Sequence, residues 1–260
     1  MARINSNNRI YRVLWTGGLD STYRMIELAL QDVIVEPVYV VNNGRRSHNI
    51  ELQAMKTMLE LLRDKNRFIA EIRDIKIVNK EDITITAAIH EAYEKLHESY
   101  DIGPQYEWLA ALSKIINDLE ICIEKAPEGR LHSRDAVVNG DGGIIFESFD
   151  LPIFNIDEEG MMINIKKWGC EDIIKHIWFC NHPLINDEGE ELRYCPCGLC
   201  HPCRIKIESG MQQLLSEEAI ERYQKMTEIE NMDGPDAAKQ YRMDTWTKKG
   251  KLFCSCLQTI

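Results

Sequence analysis

Long apolar runs are missing from this chain. None approaches the roughly 18 residues that a helix needs to cross a bilayer, which excludes a helical membrane span. The opening residues Met1-Ala2-Arg3-Ile4-Asn5-Ser6-Asn7-Asn8 also lack the apolar core of a signal peptide, so a cytoplasmic location is expected. Positive charge is scarce: 31 lysines and arginines stand against 42 acidic residues, a formal charge of −11. Such an excess disfavours loose attraction to nucleic-acid phosphates. Arg45-Arg46 and Lys166-Lys167 hint at a basic patch, but pairs of this kind are ordinarily solvated surface. The G-x-x-x-x-G-K-[ST] phosphate loop is absent, as are internal repeats and low-complexity tracts.

What remains is a chain of 260 residues, 44% hydrophobic and 28% charged, long enough for a large α/β domain with an appendage. Its early rhythm is strand, helix, strand, helix. Arg12 to Trp15 reads as a strand, Ser21 to about Gln31 as a helix, and Val33 to Val41 as a buried strand made irregular by Pro37. Leu52, Met55, Leu59 and Leu62 recur at helical spacing, Ile75 to Val78 suits a third strand, and Ile85 to Leu96 another helix. A long helix is expected from Pro104 to Leu119. Ala136 to Val138 is expected as a fourth strand, ending in the loop Asn139-Gly140-Asp141-Gly142-Gly143. This alternation predicts a parallel sheet covered by helices, with ligands held beyond the carboxyl ends of its strands. Three loops, Thr16 to Thr22, Asn42 to His48 and Asn139 to Gly143, are expected there. The rhythm breaks near residue 150, dividing an α/β domain (1–150) from a C-terminal part (151–260). In the latter, Asp157-Glu158-Glu159-Gly160 reads as a turn and the residues after Glu217 as helix and coil.

The stretch Val13-Leu14-Trp15-Thr16-Gly17-Gly18-Leu19-Asp20-Ser21-Thr22 turns from an apolar strand through two glycines into a hydroxyl-rich helix start. Glycine lets a backbone approach an oxyanion closely and take positive φ without steric cost. The hydroxyls of Thr16, Ser21 and Thr22 and the positive end of the helix dipole complete an anion cradle.

Nine cysteines, an odd number in a chain expected in the cytoplasm, point to thiols or metal ligands rather than a disulfide framework. Cys197, Cys200 and Cys203 form two overlapping C-x-x-C pairs, and a knuckle turn through Gly198 and Pro202 would aim their sulfurs at one tetrahedral ion. Spacing leaves the fourth ligand open between Cys180 and Cys195, with His182 and His201 as weaker candidates. An iron–sulfur cluster would use the same donors.

The block Thr16-Gly17-Gly18-Leu19-Asp20-Ser21 resembles the S-G-G-x-D-S signature of the PP-loop ATP pyrophosphatases, with Thr16 keeping the first hydroxyl. These enzymes bind ATP, transfer AMP to a substrate oxygen and release pyrophosphate. Cys180 followed by Cys197-Gly198-Leu199-Cys200-His201-Pro202-Cys203-Arg204 resembles the ending of one branch, the 7-cyano-7-deazaguanine synthases (preQ0 synthases, QueC family). In that branch four cysteines bind zinc, which implies Cys180 as the fourth ligand here. Gly44-Arg45-Arg46-Ser47-His48-Asn49-Ile50-Glu51-Leu52 is similar to the branch's G-Q-R-H-x-x-E-L stretch, with one residue inserted.

The resemblance implies an adenine nucleotide alpha hydrolase-like fold. It also implies ATP contacts from Trp15, Thr16, Gly17, Gly18, Leu19, Asp20, Ser21 and Thr22, with Asp20 and Ser21 catalytic and Mg²⁺ as cofactor. Arg46, His48, Glu51, Gln105, Asn139 and Arg204 would contact a deazapurine, which ammonia converts to a nitrile. Two departures bear on that substrate: Pro104-Gln105-Tyr106-Glu107 lacks the branch's arginine, and the loop at Asn139 differs in composition. A homodimer is left open. The rival readings are a PP-loop enzyme acting on tRNA or a protein, and a nucleotide-binding module without catalysis.

Overall fold

The chain is described here by a computed structural model covering residues 9–100, 102–125, 141–186 and 193–250. Contacts divide it into two compact units. One comprises residues up to Asn42 together with Leu52–Ile177, and the other Asn43–Glu51 together with the residues from Trp178 onward. The break in rhythm near residue 150 therefore precedes the boundary by contacts, since residues 151–177 stay with the sheet. Among the described residues no helix is long and apolar enough to cross a membrane.

The first unit is built on a sheet whose strands are all parallel. β1 (Ile10–Leu14) lies at its centre, with β2 (Ile34–Val41) on one side and β5 (Leu119–Glu120) on the other. β6 (Phe149–Asp150) extends the β5 side. On the outer edge of β2, β3 (Glu71–Ile72) pairs with Ile34–Val35 and β4 (Lys76–Asn79) with Val38–Val41. The gap between these two short strands falls beside Pro37. The Val35 carbonyl accepts from Arg73 on this edge and the Val38 carbonyl from Trp15 on the other, so alternation turns Pro37 toward the gap. Its missing N–H leaves no ladder bond unmade there.

Successive residues of β1 go to opposite faces. Leu14 joins Val38, Val40, Leu119 and Ile121 in one core with α3 (Ala87–Ser99), α4 (Gln105–Ser113) and α5 (Asp141–Phe146). Val13 and Trp15, both fully buried, belong to the opposite face. α1 (Leu19–Ala29) meets α6 (Glu158–Lys167), which the short α7 (Glu171–Ile174) follows; at the α1–α6 contact Asn164 Nδ2 donates to the Tyr23 hydroxyl at 3.0 Å and Tyr23 stacks on Trp168. α2 (His48–Leu62) contributes Met55, Met58 and Leu62 to the buried set.

The expected long helix after Pro104 is shorter than its apolar pattern. α4 ends at Ser113, whose hydroxyl bonds back to the Ala110 carbonyl at 2.7 Å. Asp118 takes a left-handed φ of 55° just before β5, a conformation that Asp tolerates better than most residues. Ile115 is consequently exposed, while Leu119 is a buried strand residue rather than the last turn of a helix. The place beside β1 belongs to β5, and the expected strand Ala136–Val138 lies outside the described residues. Residues from Asp141 are helical, which corrects the end of the expected loop at Asn139–Gly143. Asp157 is a helix cap and not part of a turn: its side chain accepts from the Gly160 N–H, satisfying an orphan donor at the start of α6.

Among its described residues the second unit contains the first turn of α2, an antiparallel pair, β7 (Leu184–Asn186) and β8 (Arg193–Cys195), and three further α-helices. These are α8 (His201–Glu208), α9 (Glu217–Asp233) and α10 (Pro235–Gly250), so the tail after Glu217 forms two helices joined at Gly234. Its core gathers Cys180, Cys197, Cys200 and Cys203 with Leu184, Leu199, Leu215, Ala219 and Met226.

In the first unit Arg24 of α1 holds the nearly inaccessible Glu120 of β5 through two bonds, at 2.8 and 2.7 Å. Removing one partner of such a pair strands a buried charge, which costs about 3–5 kcal/mol. Arg24→Met should lower the urea midpoint accordingly. Arg24→Met with Glu120→Leu should recover most of the loss in the same unfolding measurement.

Candidate functional site

The chain turns from β1 into α1 through Thr16, Gly17 and Gly18. Gly17 has φ 74°, the left-handed region that glycine enters at no steric cost. Two buried contacts fix the turn: Trp15 Nε1 donates to Thr22 Oγ1 at 3.0 Å, and Thr22 Oγ1 donates to Met58 Sδ at 3.8 Å. Thr16 N–H donates to Ser21 Oγ at 3.3 Å. Gly18 is the N-cap of α1, and no side chain caps that helix start.

Gly18 itself has an ordinary extended backbone, φ −77° and ψ 174°. A Cβ there would meet only Thr16 Oγ1, at 3.6 Å, which is normal contact. Neither strain nor packing within the chain therefore requires glycine at this position. Beside it lies a cavity of about 90 Å³ lined by Leu14, Thr16, Gly18, Asp20, Ser21, Ile121 and Cys122. The chain runs from β1 outward on the β2 side and then returns to β5 on the other, so the cavity sits where strand order reverses. Parallel sheets leave a crevice for ligands at that point, beyond the carboxyl ends of their strands.

The cavity's ionisable neighbours are mostly held neutral. Burial first, then the Asp20 carboxylate, pushes the Tyr106 phenol up to about 12. Burial, then Glu120 and Asp20, pushes the Cys122 thiol well up. Trp15, Leu19 and Thr22 are buried and are not among the residues lining the cavity. Thr16, Gly18, Asp20 and Ser21 line the cavity itself. Ile121 and Cys122 were not singled out from the sequence, because β5 was read as part of a helix.

In the second unit the sulfurs of Cys180, Cys197, Cys200 and Cys203 all lie within 4.8 Å of one another, and all four residues are buried. Individual separations are 4.0 Å for Cys197–Cys203, 3.9 Å for Cys200–Cys180 and 3.4 Å for Cys200–Cys203. A tetrahedron with metal–sulfur bonds near 2.3 Å has edges of about 3.8 Å, whereas a disulfide needs about 2.05 Å. The donor set therefore fits a single tetrahedral ion. Backbone N–H groups of Cys197, Leu199 and Cys200 donate to sulfurs at 3.2–3.3 Å, as thiolate acceptors require.

The competition for the fourth position resolves to Cys180, and Cys195 is not one of the four clustered sulfurs. Gly198, at φ 76°, makes the knuckle possible. Arg222, which the sequence pattern did not mark, braces it by donating to the carbonyls of Cys197 (2.9 Å) and Pro196 (3.1 Å).

The residues expected to bind substrate fall in both units. In the segment Asn43–Glu51, Arg46 is exposed, and His48 Nδ1 lies 2.9 Å from the Arg45 carbonyl. Glu51 is buried, accepting from Ser47 Oγ at 2.7 Å and pairing with Arg45 at 3.0 Å. Gln105 is exposed at the start of α4, and Arg204 on α8 lies 3.7 Å from Glu208. Asn139 lies outside the described residues.

Comparison with protein-family models and with curated proteins gives no match. Among solved structures the chain is similar to one described as a predicted subunit of tRNA methyltransferase from Methanocaldococcus jannaschii. The two are 12% identical, with 81% of this chain and 91% of that one covered and a TM-score of 0.37.

A Cβ at Gly198 would sit 1.9 Å from the Ala219 carbonyl oxygen, besides the strain of its φ. Gly198→Ala should therefore destabilise the second unit by several kcal/mol, on the scale of strain plus overpacking, and thermal unfolding will show it. Tyr106 should titrate at about 12 rather than near 10, measured as the ultraviolet difference between the protein and Tyr106→Phe. A raised acid of this kind stabilises the fold fully below the unfolded value and loses that contribution as pH climbs from 10 to about 12.

Proposed function

We propose that this protein is a zinc-containing, ATP-dependent adenylating enzyme of the PP-loop type, acting on a deazapurine carboxylate as the preQ0 synthases do. The carrying observation is Gly18. It is a glycine that neither backbone nor packing requires, at an uncapped helix start, beside a cavity lined by two hydroxyls and a carboxylate. Space left open at such a helix start suits an oxyanion that must approach the backbone closely. The cavity is well below the roughly 300–1,000 Å³ of a whole small-molecule cleft, so it suits the pyrophosphate end of ATP and leaves the nucleoside outside it.

Thr16 and Ser21 would donate to the pyrophosphate oxygens as charge accumulates on them, with little reorganisation because the turn is already fixed. Asp20 would hold Mg²⁺, which neutralises the leaving group. A carboxylate oxygen of the substrate attacks the α-phosphorus, the bond to the β-phosphate oxygen breaks, and pyrophosphate leaves. Ammonia then displaces AMP from the acyl adenylate to give an amide and a proton. A second adenylation, on the amide oxygen, followed by loss of AMP and a proton, gives the nitrile.

Cys180, Cys197, Cys200 and Cys203 would hold zinc as four thiolates, leaving no open position, so that the ion braces the second unit. Arg46, His48, Glu51, Gln105 and Arg204 carry the expected substrate contacts.

The test is incubation with ATP, Mg²⁺, ammonium and 7-carboxy-7-deazaguanine, with AMP and nitrile followed by mass spectrometry. AMP without nitrile keeps the adenylating reading and discards the substrate; neither product discards both. Gly18→Ser separates function from folding. Serine caps helices at least as well as glycine, so the thermal midpoint should hold or rise. The added side chain occupies the cradle, so AMP formation should fall by at least about 100-fold, the scale of losing preorganised oxyanion donors.

A further inference from the structure

We infer that Arg45 is a positioning residue that ties the segment Asn43–Glu51 to the cysteine knuckle, so that metal loading holds the segment in place. The inference rests on the zinc reading above and adds to it a route from the metal to the expected substrate residues Arg46 and His48.

The segment follows β2 directly in the chain and leads into α2, yet its contacts group it with the residues from Trp178 onward. Arg45 supplies the link. Its Nη2 donates to Asn181 Oδ1 at 3.3 Å, and Asn181 immediately follows the clustered Cys180. The same guanidinium donates through Nε to Ser47 Oγ at 3.1 Å and pairs with Glu51 at 3.0 Å. Ser47 Oγ in turn donates to Glu51 Oε1 at 2.7 Å. Ser47 and Glu51 are buried, while Arg45, Asn181 and the bond between them are exposed. The Arg45 carbonyl meets His48 Nδ1 at 2.9 Å.

One residue thus connects the knuckle, the base of α2 and the ring of His48. A planar, five-donor guanidinium can serve these acceptors together, and a lysine ammonium cannot reproduce the fork. Asn181 joins the knuckle to Arg45. Its position follows from that of Cys180, whose sulfur accepts the Cys197 N–H at 3.2 Å. With the four thiols drawn onto one ion, Asn181 has a fixed place from which to hold Arg45. Without the ion the four sulfurs are held only by packing and by hydrogen bonds such as that from Cys197 N–H to Cys180 Sγ, so the turn and the Arg45 contact to Asn181 are loosened.

Amide hydrogen exchange of the full chain tests this, with zinc content measured on every sample. Asn181→Ala at one equivalent of zinc should speed exchange of residues 46–51 about two- to fivefold, the loss of one solvent-exposed hydrogen bond to a charged group. Exchange in α1 should stay unchanged. Asn181→Asp, which keeps the acceptor, should retain protection, while Arg45→Lys should loosen the segment as Asn181→Ala does. In the enzyme assay Asn181→Ala should raise KM for the deazapurine and leave KM for ATP as it was. Unchanged exchange in Asn181→Ala, equal protection in zinc-free and zinc-loaded protein, or a chain that binds no zinc each overturns the proposal. A protein that makes no AMP but shows the exchange pattern refutes the adenylating function and leaves this coupling standing.

Discussion

The bond from Trp15 Nε1 to Thr22 Oγ1 is the constraint on which the glycine turn depends. It spans the turn from the strand side to the first helical turn and is wholly buried, so no water competes with it. An indole N–H left without an acceptor in that place would cost about 1–3 kcal/mol, which fixes where Thr22 sits. With both ends held, the chain between them can afford Gly17 in the left-handed region and Gly18 with no side chain at all. The rigidity comes from Trp15, Thr22 and Met58, none of which lines the cavity.

The second unit solves a different problem. Its four buried cysteines lie within its apolar core, beside Leu184, Leu199, Leu215, Ala219 and Met226. Buried thiols without a cation are poor tenants: Cys180 is pushed far up by burial, while Cys197 is pulled far down by the hydrogen bonds of its neighbours. Four sulfurs packed this closely in an apolar core cannot all carry charge without a cation to balance them. A tetrahedral ion satisfies all four sulfurs at once, and Arg222 fixes the carbonyls on the far side of the turn.

Most of the parallel sheet was legible in the sequence because β1, β2 and α1 carry strong periodicity over five or more residues. The strand beside β1 was not, since β5 has only two residues and follows an apolar pattern, Ile115, Ile116 and Leu119, that imitates a helix. A left-handed Asp118 interrupts that pattern, and nothing in composition announces it. The knuckle was legible from spacing down to three ligands, but the fourth needed the fold, because Cys180 is brought back by the pairing of β7 with β8. Arg45 and Arg222 were invisible for a related reason: each acts on backbone or side chains far away in sequence, and an arginine beside a turn or on an exposed helix looks like solvated surface.

Charge sets the last condition on what the cradle can accept. The chain carries −11 overall, and Asp20 lines the cavity while Tyr106 and Cys122 are kept neutral. A bare polyanion would meet that carboxylate with only the helix start, worth about half a unit charge, to offset it. An anion that arrives with its own divalent cation meets a different field, because the carboxylate then becomes a ligand. A net charge of −11 likewise disfavours loose attraction to long phosphate chains, whose affinity comes from many lysine and arginine contacts. On the proposed reading, a small phosphate that brings its own cation suits the Asp20 side of the cavity better than a bare one.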